Sequence, residues 1–276
     1  MMVKKYRHTA YAYFILLIFV VVTIFPIFWM VSTSLKAPDE VFSTPIKLMP
    51  RVLLWKNYST ALHARPFFIY TLNSLFASTV SLFVSCFFGS LAAVGFTYYS
   101  FPGKKMLYLI VLSSLIIPVE VIAVPLYLMI NKMGLLDTYA GLIIPMMMFP
   151  LGIFIIKQYL KTFPADIYNS AIIDGANGFT IYSKIILPLI VPALTSVGIF
   201  SFVMTWNNYL WPLLSISDDM KRTLSLGMAL FENSSIVSYN QIMAIAVFGS
   251  VPLIILFLIF QNNFVSSISM TGLKEG

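Results

Sequence analysis

The sequence is short of almost everything from which an aqueous surface or an aqueous active site is made. Only 10% of its 276 residues are charged, 17 of them Lys or Arg and 10 Asp or Glu. A single cysteine, Cys86, rules out an internal disulfide, and its place in an apolar run reads as packing rather than as a reactive thiol. The two histidines, His8 and His63, lie far apart in polar flanks. No metal-ligand spacing, glycine-rich phosphate loop or Ser/His/Asp grouping occurs. These absences argue against a metal site, a nucleotide site and nucleophilic catalysis in this chain. A net charge of +7 drawn from so few charges does not suggest nucleic acid either.

What is present is apolar. Hydrophobic residues make up 59% of the chain, 24 of them Phe, and the mean hydropathy is +0.91. A soluble domain is typically about half apolar, so the reading is an integral membrane protein. A spanning helix needs about 20 apolar residues. Charge-poor windows place six of them, near 11–32, 72–96, 107–130, 139–157, 189–213 and 242–262, within one domain over 1–276. The first is too long and too aromatic for a cleaved signal peptide. Lipid leaves backbone groups no external partner, and a barrel would need short alternating segments, so the windows are helices. The expected fold is all-α.

Pro118, Pro125, Pro145 and Pro150 should kink or end helices. Ser78, Ser81, Ser85, Gly89, Ala92 and Ala93 offer a small-residue face for close helix packing. Glu120 is the one acid inside an apolar window, and is open to a structural bond, a substrate or gating role, or proton coupling. Lys4, Lys5 and Arg7 argue for cytoplasmic termini. The full count of Lys and Arg, nine inside against eight outside, adds little to that.

The segment 164–188, "PADIYNSAIIDGANGFTIYSKIILP", interrupts the apolar pattern. As a span it would bury Asp166, Asp174 and Lys184 at about 2.5–3.5 kcal/mol each. It reads instead as two short helices at the membrane surface. Pro164 and Asp166 suit a first turn, Gly175 suits a left-handed stop, and Phe179, Tyr182 and Ile186 recur at helical spacing.

"NSAIIDGANGFTIYSKIILP" resembles the cytoplasmic signature loop of binding-protein-dependent ABC importer permeases. Ala171, Asp174, Gly175, Ala176, Ile185, Leu187 and Pro188 match at the family spacing, while Asn169 replaces the usual Glu and Ser170 the usual Ala. "GLLDTYAGLIIP" (134–145), "WNNYLWPLL" (206–214) and the C-terminal "GLKEG" with Lys274 resemble the carbohydrate-uptake branch that includes the maltose permeases. The resemblance implies a type I importer permease fold of six helices. In that family the loop is a coupling helix seated on a separate ATPase, so Asn169, Ala171, Asp174, Gly175 and Ala176 become its candidate coupling residues. It further implies a second, similar permease chain, two ATPase subunits carrying ATP and Mg, and an extracytoplasmic substrate-binding protein. No cofactor is then bound by this chain.

For a sugar, Trp206, Tyr209 and Trp211 offer flat faces, and Asn207 and Asn208 offer neutral hydrogen bonds, although an interfacial aromatic belt favours the same residues. With Glu120 they are the candidate path or gate. The external stretch 218–240 reads as a solvated loop or a contact for the binding protein. Two alternatives stay open. One is glycerol phosphate, whose permeases "IPVEV" (117–121) also resembles. The other is a proton-coupled secondary transporter using Glu120.

Overall fold

The computed structural model describes residues 2–233 and 238–272, with side chains over 13–233 and 238–261. Lys4, Lys5 and Arg7 are therefore described as backbone only, and Lys274 lies outside the described residues. Every regular element among them is helical. The helices are α1 (Met2–Ser34), α2 (Lys56–Ala64), α3 (Phe67–Tyr98), α4 (Lys104–Ser113), α5 (Val119–Lys132), α6 (Tyr139–Met147), α7 (Pro150–Leu160), α8 (Asp166–Ile173), α9 (Gly178–Leu189), α10 (Val191–Trp206), α11 (Leu210–Ser215), α12 (Leu224–Glu232) and α13 (Tyr239–Gly272).

Four stretches are long and apolar enough to cross a membrane: Tyr13–Ser34, Phe67–Tyr98, Tyr139–Leu160 and Tyr239–Gln261. The pair α9 and α10, bent by 77°, makes a fifth if counted as one span. The window at 107–130 is divided into α4 and α5, each too short to cross alone. The division falls where Pro118 lacks an N–H and takes an extended conformation. Pro150 likewise opens α7, whereas Pro125 and Pro145 sit inside helices.

The described residues form two compact units, one of 2–67 with 228–233 and 238–251 and the other of 68–227 with 252–272. In the first, the end of α1 is tied by side chains. The Asn57 amide donates to the carbonyls of Ser34 and Lys36 at 2.9 Å, and the Asn240 amide donates to Lys36 as well. The Lys36 side chain is buried with its ammonium 4.0 Å from the centre of the Trp29 ring.

The second unit inverts the pattern of a soluble protein. On α3, Ser74, Ala77, Ser78, Ser81, Ser85 and Ala93 are buried, while Phe68, Phe76, Phe83 and Phe87 point outward. Lipid tails are as apolar as Phe, so little is gained by hiding rings. Small side chains inside let helices approach closely, and the Ser74 and Ser85 hydroxyls find partners there while those of Ser78 and Ser81 are buried without a hydrogen bond. The small-residue face thus packs within this chain. One close approach is decided by Gly141 on α6. A methyl there would lie 2.0 Å from the Leu135 carbonyl oxygen and 3.2 Å from Ile130 Cγ2.

Gly141→Ala should destabilise the chain by about 1–3 kcal/mol or more through overpacking. Gly95→Ala, on a helix with nothing within 4 Å of the added methyl, should be neutral or slightly stabilising. Melting temperature and monodisperse yield in detergent read both. Equal behaviour of the two variants would contradict the packing described.

Candidate functional site

The second unit holds three built features, the first of which is the segment 164–188. α8 opens at Asp166, whose carboxylate sits in the first turn near the positive end of the helix dipole. It stops in a Schellman motif. Gly175, at φ 78°, donates its N–H to the Ile172 carbonyl, and Ala176 donates to Ala171, both at 3.0 Å. Ala171 and Ala176 also pack against the same apolar cluster, the hydrophobic contact that accompanies this motif. Three of the sequence candidates therefore act as one device, a helix stop with a fixed exit.

Asn177 begins the next helix by accepting the Thr180 N–H at 2.8 Å. Residues 181–186 form a π turn. It brings Ile181, Ile186 and Ile190 to one buried face at spacings of five and four. Phe179 falls off that face and is 78% exposed, so the helical spacing of Phe179, Tyr182 and Ile186 does not make one stripe. Tyr168 seals the inner side, stacked on Tyr98 at 4.2 Å between ring centres. Burial first, then the Tyr99 hydroxyl, pushes its phenol up to about 12. On the outer side, Asn169, Ser170, Asp174 and Gly175 are exposed, as is Ile173 at 85%. Ala171 faces inward. The sequence reading missed Ile173, whose exposure beside an inward Ala171 depends on the rotational setting of α8.

The second feature is a cavity of about 160 Å³ walled by α5, the junction of α6 and α7, and α10. Val119, Ile122 and Leu126 line it from α5. Ser201 and Thr205 on α10 and Asn208 just beyond it, at spacings of four and three, line it with polar groups. The junction contributes Pro145, Met146 and Phe149, on either side of the break at Met148. The Met147 carbonyl freed there accepts the Ser85 hydroxyl at 3.0 Å, and Ser85 also bonds Ser201 at 3.0 Å. Asn208 accepts the Trp211 N–H at 3.1 Å, and Trp211 Nε1 donates to the Gly141 carbonyl at 3.0 Å. The stretches 134–145 and 206–214 thus interlock.

Of the candidate path residues, Asn208 and Trp211 reach this cavity. Trp206 is buried and stacked on Phe202, 5.8 Å between centres. Asn207 and Tyr209 are exposed away from it. Glu120 lies in the first turn of α5, exposed. With about 100° per residue, it is turned more than a quarter-circle from Val119, Ile122 and Leu126.

The third feature clamps the loop after α11. Asp137, itself left-handed at φ 57°, accepts the N–H groups of Ser217 and Asp218 at 3.1 and 3.0 Å and pairs with Lys221 at 3.7 Å. The Tyr70 hydroxyl donates to Asp219 at 2.8 Å. The Asn73 amide donates to the carbonyls of Met220 and Arg222 at 2.9 Å and accepts from the Tyr139 hydroxyl at 2.8 Å. Ser74 accepts the Leu224 N–H at 2.8 Å. The charges read as solvated at 218–222 are therefore largely engaged. Residues 234–237 of the external stretch lie outside the described residues.

Comparison with known proteins supplies the context. Residues 85–270 match the family described as the binding-protein-dependent transport system inner membrane component. The chain belongs to that family. It is 31% identical to the arabinooligosaccharides transport system permease protein AraQ of Bacillus subtilis, over 91% of this chain and 90% of that one. It is 30% identical to the diacetylchitobiose uptake system permease protein NgcG of Streptomyces coelicolor, over 95% and 88%. It is also 30% identical to the sn-glycerol-3-phosphate transport system permease protein UgpE of Yersinia pestis, over 92% and 94%. A bacterial ABC transporter that imports the polysaccharide alginate shares the fold at a TM-score of 0.81 and 23% identity, covering 94% of this chain and 97% of that one. This transport permease accordingly has the type I importer permease fold.

Asp137 provides a test of the clamp. The Asp218 N–H, opposed by desolvation and then joined by the Ser217 N–H and Lys221, holds its carboxyl below the usual range. A carboxylate lowered on folding contributes stability above about pH 4 that is lost as pH falls through its folded value. Asp137→Asn should therefore melt below the wild type at pH 6, and the gap should close towards pH 3. A gap independent of pH would contradict this account of Asp137.

Proposed function

We propose that this chain is the non-catalytic permease subunit of an ATP-driven importer and carries a neutral sugar or oligosaccharide across the cell membrane by alternating access. In this reading six helices span the bilayer, α4 and α5 together supplying the crossing at 107–130. Both termini are cytoplasmic. A second, similar permease chain completes the pathway, and an extracytoplasmic binding protein delivers the cargo. Two ATPase subunits bind ATP and Mg and take the outer face of α8 in a groove. The observation that carries the reading is the segment 164–188. Its inner face is fixed by a Schellman stop and buried isoleucines, its outer face leaves Ile173 and Phe179 uncovered, and its far end continues through a bend into α10. Such a piece transmits a push as a rigid body to the helix that lines the cavity. Asn169 and Asp174 meet the ATPase, Gly175 and Ala176 hold the exit, and Ala171 seats the lever.

The neutral cargo is favoured by the cavity lining, which offers hydroxyls, an amide and an indole but no Lys or Arg. A phosphate ester would need cations. The relatives named for oligosaccharides agree with that choice, and the similarity to UgpE keeps glycerol phosphate as the competing cargo. A proton-coupled carrier using Glu120 is disfavoured by its turn away from the cavity.

Gly175→Leu separates these readings. A Cβ there meets nothing within 4 Å inside the chain, and left-handed strain of about 1–2 kcal/mol acts on the fold. The variant should stay in the membrane yet lose ATP-driven sugar uptake together with co-purification of the ATPase. Thr205→Val should instead keep the complex and raise the apparent KM up to about tenfold, the loss of one hydrogen bond. Normal uptake by Gly175→Leu, or wild-type uptake that survives ATP depletion and collapses with a protonophore, would overturn the proposal.

A further inference from the structure

Three lysines in the second unit are held together without an acid. The N-terminus of α4 places Lys104, and the last turn and end of α7 place Lys157 and Lys161. Lys157 and Lys161 stand one turn apart at the end of α7, and Lys157 lies over Tyr108, which is one turn on from Lys104 in α4. Their tethers are not ionic. Lys104 Nζ donates to the Tyr99 carbonyl at 2.7 Å, and the Lys157 ammonium lies 3.2 Å from the centre of the Tyr108 ring. No carboxylate is paired with any of the three among the described residues.

Like charges gathered this way repel unless an anion sits among them. The helix end explains part of the arrangement, since cations in a last turn face the negative end of the dipole. It explains Lys157 and Lys161 but not Lys104, which stands at a helix start where the dipole is unfavourable. The surroundings say what kind of anion fits. α4 buries no residue, and Met106, Leu107, Leu109 and Ile110 are all exposed directly beyond Lys104. A free phosphate would meet only the charges and leave that apolar side bare. An acidic lipid meets both, its phosphate at the lysines and its chains along α4.

We propose that Lys104, Lys157 and Lys161 form a binding site for the headgroup of an anionic phospholipid, whose acyl chains lie against the exposed side of α4. The proposal takes from the functional reading only that α4 and α7 border the bilayer. The site would fasten α4, which buries no residue of its own, to the surface beside the segment 164–188. A lysine near an acidic membrane surface is worth up to about fivefold in affinity.

The test uses the full chain in vesicles of phosphatidylcholine with a trace of spin-labelled phosphatidylglycerol or spin-labelled phosphatidylcholine. It needs neither ATPase nor sugar, so it can fail while the transport reading stands, and the reverse. The wild type should immobilise the acidic lipid several-fold more than the neutral one. Lys104→Gln and Lys161→Gln should each cut that preference, and the double variant should approach parity. Lys132→Gln, at the exposed end of α5, should leave it unchanged, and excess inorganic phosphate should not abolish it. Parity in the wild type would overturn the proposal. So would a preference that survives the double variant, or one that inorganic phosphate removes.

Discussion

A backbone group freed by a broken helix inside a bilayer has no water to turn to, and each one left unpaired costs several kcal/mol. This chain breaks its helices repeatedly, and at two of the breaks freed groups are visibly paired. At the end of α5, Gly134 donates to Asn131 and Leu135 to Ile130, a Schellman stop like the one that ends α8. At the junction of α6 and α7 the Met147 carbonyl takes the Ser85 hydroxyl. These side chains and glycines allow irregular backbone to line a cavity rather than a lipid face, which is where polar cargo can be met.

The same economy links the cavity to the segment 164–188. α10 supplies the polar wall through Ser201 and Thr205 and receives the far end of α9 across the bend at Ile190. A displacement of α8 and α9 therefore has a short covalent route to the polar wall. Nothing in that route requires a titratable group, and Glu120 stands outside it.

The helical class and the helix stop at Gly175 were legible because both rest on local chemistry. Long runs without charge favour helices that satisfy their own backbone, and a glycine after a helical stretch marks a left-handed stop. The division at 107–130 was half legible: Pro118 was seen as a breaker, but that α4 and α5 separate there depends on what they pack against. The site was less legible. Trp206 and Asn208 are two residues apart and equally suited on paper to touch a sugar. Only the rotational setting of α10 buries the first against Phe202 and turns the second to the cavity. Ser201 and Thr205 carry no signal in sequence, since hydroxyls in apolar helices usually bond their own backbone. The clamp on 215–224 joins Tyr70, Asn73 and Ser74 to residues nearly 150 positions later, a pairing that no window along the chain can display.

The most direct test of the central claim is where the uncovered face of α8 goes. Ile173→Cys in a Cys86→Ser background leaves one thiol in the chain, at its most protruding apolar position on that helix. With the ATPase and the second permease chain assembled in membranes, a short bifunctional thiol–amine reagent should join this position to the ATPase subunit, in a yield that changes when ATP is added. A thiol that resists water-soluble reagents, reacts with a bilayer-restricted probe and never cross-links to the ATPase would place this face in lipid and contradict the account.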